Sequence, residues 1–255
     1  MSEGLLRASQ VFDGGGHDIE THNSECSAMG TLDSDRTAGG YGRITAAGSR
    51  PSPVVQWPPR VSRRRPAGSR EAGLKITLRI YNYAQVAPAE LSEAEKVASV
   101  IFRKAGIEPA WIDCPLSEED LDRFPACQQS LTPSHFVLRL INQPLPNFSI
   151  ARAGDIGLAL ACREDDAGCS AYLSYKSVMN WAGRADTSAD RILGHAMAHE
   201  IGHLVLGPVS HSRSGVMCAD WDMDDLAVMA RKLLYFTHQQ AHSLRVEVRK
   251  RPREL

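Results

Sequence analysis

His199-Glu200-Ile201-Gly202-His203 is the stretch whose residue types and spacing could do chemistry. Two histidines four apart on a helix lie one turn above each other on a single face, so both imidazoles can reach one metal ion without distorting the backbone. Glu200, beside the first histidine, can take a proton from a metal-activated water. Gly207 lets the chain leave the helix in a left-handed turn, Pro208 forbids the helix from resuming, and the chain can then fold back to offer His211 as a third ligand. Zn²⁺ held tetrahedrally by His199, His203 and His211, with one open position, is a hydrolytic arrangement.

Two neighbours compete for these roles. His195 shares the stripe, but residues eight apart on a helix are ~12 Å apart along the axis. Only one adjacent pair can bind, and the place of Glu200 selects His199 with His203. His195 is then a packing residue or one that hydrogen-bonds near the site. Asp220, Asp222 and Asp224 follow closely enough for a carboxylate to replace His211 as third ligand. The Gly-Pro turn favours His211.

With those residues in view, the run resembles the metzincin clan of zinc metallopeptidases, whose signature is H-E-x-x-H-x-x-G-x-x-H followed by a methionine turn. Here one extra residue precedes Gly207 and one more separates it from His211; His211-Ser212-Arg213-Ser214-Gly215-Val216-Met217 supplies the Met-turn. The block from Gly194 to Trp221 also resembles bacterial proteins with zincin-like motifs, and the looser similarity runs from about Leu74 to the C-terminus. The resemblance implies peptide-bond hydrolysis with Glu200 as general base and then general acid. It implies that Met217 forms an apolar floor beneath the histidines, and that an edge strand above the metal helix pairs with extended substrate. Tyr235, Tyr172 or a backbone amide could steady the transition state. The rival from another class is an inactive zincin-fold binding or structural module, against which an intact Glu200 argues. A third option is a latent form in which part of the N-terminal segment covers the cleft and Cys26 ligates the zinc, but a lone cysteine in such a segment argues little for it.

The elements that must position these residues follow from pattern. The fold class expected is α+β and zincin-like: a twisted mixed sheet packed on the active-site helix and a C-terminal helix. Residues 1–73, rich in Gly, Ser, Arg and Pro, read as a disordered tail, with Arg63-Arg64-Arg65 a solvated charge run. The metallopeptidase domain is expected over 74–246, with 247–255 a charged, exposed tail. Strands are predicted at Lys75–Tyr83, Ala110–Cys114, His135–Ile141, Ile156–Cys162 and Ser170–Tyr175, the last two as a hairpin or neighbouring edge strands. A helix capped by Ser92 and Glu95 runs to about Ala105 and crosses between the first two strands, which are parallel. Thr187 or Ser188 caps the metal helix, whose buried residues are Ile192, Leu193, Ala196, Met197, Leu204 and Val205. Leu226–Leu244 reads as one helical stretch with Leu226, Met229, Leu233, Leu234 and Phe236 inward.

Composition narrows the partners. The 255 residues carry a formal net charge of -1, so overall charge points to no nucleic-acid or membrane partner. A peptide or protein substrate and a monomeric chain are expected. The N-terminus lacks the basic start and apolar stretch of a secretory signal, which reads as cytoplasmic. Cys162 with Cys169, and Cys114 with Cys127, bracket short polar segments that could close as disulfides and suit an oxidising compartment instead. A mis-assigned start codon would reconcile the two.

Overall fold

The computed structural model describes residues 73–143, 156–160, 162–163 and 165–251. The segment 1–72, with the arginine cluster and Cys26 singled out in the sequence, therefore lies outside the described residues.

Five strands form one mixed sheet in the order β2-β1-β3-β5-β4. β1 (Leu74–Asn82) pairs in parallel with β2 (Ile107–Cys114) and with β3 (His135–Ile141), and β3 pairs in parallel with β5 (Cys169–Ser174). β4 (Gly157–Ala159) runs antiparallel to β5 at the sheet's edge, as one of the two predicted arrangements has it. Register stacks the apolar positions in rows: Leu78 beside Phe136, Ile80 beside Leu138, Leu138 beside Ala171 and Leu140 beside Leu173, all essentially buried. This period-2 alternation gives the sheet one fully apolar face. On the other face, the buried Arg79 donates to Cys127 O, in the short helix α2 (Pro125–Gln128), at 3.1 Å and to Gln129 O at 2.7 Å, and a Cys114–Cys127 disulfide ties that segment to β2.

α1 (Pro88–Lys104) makes the crossover from β1 to β2 but starts earlier than predicted. Pro88 occupies the first helical position, where its missing N–H costs nothing and its fixed φ suits the helix, so Ser92 lies inside the helix and caps nothing. Gly106, at φ 85°, ends it as expected. Pro109 is tolerated because β2 is an edge strand.

α3 (Tyr175–Ala185), capped by Ser174, has no counterpart in the sequence reading. α4 (Ala189–Leu206) carries the H-E-x-x-H run. It is contacted by α1, by α3 and by strands β3, β4 and β5, which explains why it is apolar nearly all round rather than along one stripe. All six residues predicted as its buried surface are buried.

The expected Leu226–Leu244 helix is two helices, α5 (Met223–Arg231) and α6 (His238–Lys250). Extended residues between them are taken up by tertiary hydrogen bonds, Val216 N to Tyr235 O (3.1 Å) and Leu234 N to His195 Nε2 (3.0 Å). Thr237 and Gln240 then form a capping box that restarts the helix. The charged segment expected to be exposed from Glu247 is helical to Lys250. Arg251 is buried, donating to Pro133 O and Leu204 O with its guanidinium over the Phe136 ring. The architecture is α+β, a mixed sheet packed with helices, with α6 against β1 and α4.

Candidate metal centre

α4 sets His199 and His203 one turn apart, with their Nε2 atoms 3.0 Å from each other. At Gly207, φ 90°, the chain turns off the helix, and it returns to place His211 Nε2 3.0 Å from His203 Nε2. The three ring nitrogens lie within 4.8 Å of one another, and among the described residues this is the only such group of potential metal ligands. No aspartate joins it. Asp222 is engaged at the N-terminus of α5, where its carboxylate accepts from Asp224 N and Asp225 N. Asp220 is near enough only to favour protonation of His211 electrostatically.

The ring tautomers decide what the cluster can hold. His199 Nδ1–H donates to Val216 O at 2.7 Å. Ser210 Oγ–H donates to Gly207 O at 2.8 Å, so its oxygen accepts from His203 Nδ1–H at 3.0 Å. Both rings therefore turn a bare Nε2 lone pair toward the same point. Adjacent lone pairs repel, and the cation that such a donor set suits is a small divalent metal. Burial disfavours the alternative of protonating the rings. It pushes His199 down to about 3, with the neighbouring His203 adding to the effect, and His203 down to about 4, with His211 adding. His211 is also lowered, mainly by burial, against the pull of Asp220.

The surroundings are tightly built. Met217 is buried, and a Cβ placed on Gly202 would stand 2.5 Å from its Sδ, so the thioether rests directly on the helix backbone between the turns of His199 and His203. Ser212 N bonds Met217 O at 2.9 Å, closing the turn that carries Val216. Trp221 stands edge-on to His199, ring centroids 5.5 Å apart. Glu200 is buried beneath β4, where a Cβ on Gly157 would overlap its carboxylate. A cavity of about 300 Å³ opens beside His211, lined by Leu206, Val209, Ser212, Thr237 and Gln239 among others.

The sequence reading named His199, Glu200, His203 and His211 as one site; the structure converges the three histidines, and Glu200 is buried on the same helix against Gly157. His195 is fully buried and bonds Leu234, away from the three-nitrogen cluster. Tyr172 alternates with the core-facing Ala171 and Leu173 and lies beside Arg139 on the sheet face turned from α4, which removes it as a transition-state donor. Tyr235 flanks the Val216 turn through its backbone carbonyl. Ser210, the Val216 carbonyl and Gly157 were missed. Only Gly157 left a signal: Gly and Ala at both inward positions of a short strand mark a close approach.

No helix among the described residues is long and apolar enough to cross a membrane. No family model matches the chain, and no curated protein does. Solved structures similar to it include a zinc-dependent peptidase from Methanocorpusculum labreanum (strain Z), 17% identical over 66% of this chain and 99% of that one, TM-score 0.42. An archaemetzincin from Methanopyrus kandleri is 16% identical over 70% of this chain and 98% of its own, TM-score 0.41. Metalloproteinase-II from Bacteroides fragilis is 9% identical over 71% of this chain and 55% of its own, TM-score 0.42.

Proposed function

We propose that this chain is a zinc-dependent peptidase of the zincin type, with His199, His203 and His211 as metal ligands and Glu200 as general base. The observation that carries the reading is the convergence of the ring nitrogens, two with tautomers fixed by Val216 O and Ser210 Oγ, next to a buried glutamate. A zinc ion supplies a Lewis acid that acidifies water and polarises a carbonyl. Glu200 takes the proton of the attacking water and hands it to the leaving amide nitrogen. β4 is the edge of the sheet and can pair with an extended peptide through its backbone. The cavity beside His211 receives a neighbouring substrate side chain. The packing of Met217 against Gly202 supports reading it as the Met-turn methionine of the resemblance. The Cys114–Cys127 and Cys162–Cys169 disulfides suit work in an oxidising compartment.

Elemental analysis of purified protein, with peptide-library cleavage, tests this. The expected result is about one zinc per chain, lost in His211→Ala. Glu200→Gln is expected to keep the metal and lose about 10²–10⁴-fold in kcat. Wild-type protein that takes up no zinc after reconstitution would sink the enzyme reading.

A further inference from the structure

Gly157 is the inward-facing residue of β4 nearest Glu200. An ideal Cβ built there would stand 2.5 Å from both Cγ and Cδ of Glu200 and closer still to a carboxylate oxygen. Real Cβ atoms do not approach other heavy atoms so closely, so the edge-strand backbone lies directly on the glutamate side chain. The strand is held there by its pairing. Gly157 faces Leu173, Ala159 faces Ala171, and Leu160 N and Ser174 N extend the ladder to Ser170 O (3.0 Å) and Ile156 O (2.8 Å). From below, the carboxylate rides on α4, the most enclosed helix of the fold, and it is only 6% exposed. The side chain is therefore confined between a rigid helix and a rigid strand, and residue 157 sets the height of the ceiling.

We infer that Gly157 is a positioning residue for Glu200: the absence of a side chain at 157 fixes where the carboxylate sits, and any Cβ there displaces it. This rests on Glu200 acting as the base. A carboxylate is the far end of a flexible side chain, so Gly157→Ala moves the glutamate before it moves the strand. A displacement of about 1 Å at a reacting group costs on the order of 10²-fold in rate. Substrate pairing along the β4 backbone is unaffected, so the loss falls on kcat and leaves KM in place.

The test is a double-mutant cycle in the full chain: wild type, Gly157→Ala, Glu200→Ala and the double variant, read by thermal unfolding of the metal-free protein and by peptide cleavage. Removing the Glu200 side chain makes room, so Gly157→Ala is expected to lower Tm in the presence of Glu200 and to have little effect in its absence. Gly157→Ala with Glu200 intact is expected to lose about 10²-fold in kcat with KM within twofold. If Gly157→Ala alone fails to fold, recovery of folding in the double variant supports the contact; failure of both overturns it. Additive Tm changes overturn it as well, and a coupled cycle with unchanged kcat overturns the positioning role. A wild-type protein that cleaves nothing disproves the peptidase reading instead, and the Tm cycle still decides whether Gly157 sets the carboxylate's place.

Discussion

The His195 ring spans α4 and the segment before α6: its Nδ1–H donates to Arg191 O at 2.7 Å, and its Nε2 accepts from Leu234 N at 3.0 Å. Both bonds together require the neutral ring. Burial pushes the imidazole down to about 4. Between that value and its ordinary 6.5 the unfolded chain binds a proton that the folded chain refuses. The contribution is therefore present above pH 6.5 and is lost as pH falls through 4, on the order of 3 kcal/mol in all. His195→Asn is expected to flatten the slope of unfolding free energy against pH in that window. Parallel slopes in wild type and variant would show that the ring does not govern it.

Glu95 on α1 should tilt stability the other way. Burial, and then the Asp113 carboxylate on β2, push it up to about 7. The folded chain holds the proton where the unfolded chain has released it, so stability present below pH 4.5 is lost as pH rises through 7. Glu95→Gln is expected to be more stable than wild type at pH 8, with the advantage fading towards pH 5. Urea titrations at the two pH values measure this, and an advantage independent of pH would contradict it.

Ser210 lies outside the three-nitrogen cluster but fixes the His203 ring through Nδ1. Ser210→Ala is expected to weaken zinc binding by about 10–100-fold while leaving the Tm of the metal-free protein close to wild type. Competition against a chromogenic chelator reads the change. An unaltered Kd would mean that the longer contact of His203 Nδ1 to Gly207 O, at 3.3 Å, suffices to hold the ring.

The Cys162–Cys169 disulfide closes the β4–β5 hairpin at the end opposite the Ser174–Ile156 bond. Replacing both cysteines by serine is expected to cost about 2–3 kcal/mol of stability. Cleavage should slow because the ceiling over Glu200 loosens, whereas zinc content should hold. If kcat survives while Tm falls, the strand pairing alone keeps β4 in place.

Much of this site could be read in advance because its chemistry is local. H-E-x-x-H needs only helical periodicity to bring two rings and a carboxylate together, and a Gly-Pro stop is a short-range backbone instruction. β1 announced itself by alternation and β3 by a strongly apolar run with prolines after it, and β3 matches its predicted span. What could not be read depends on distant partners. Leu226–Leu244 has helical spacing throughout, yet Leu234 and Tyr235 leave the helix because His195 and Val216 offer their backbones better-placed bonds. Arg251 looked like a solvated tail charge, and two carbonyls from far along the chain bury it. The charge alone carries no sign of either.

The bonds that steady the three clustered histidines have a direction in time. Val216 is held by Tyr235, and Ser210 O accepts from Gln240 Nε2 at 3.0 Å. Both partners are translated after every ligand they help to fix. A growing chain thus displays His199, Glu200, His203 and His211 before it owns the scaffold that orients them. The order of the chain therefore puts the scaffold last: the three rings gain these two supports only after the segment through α6 has been made and has packed.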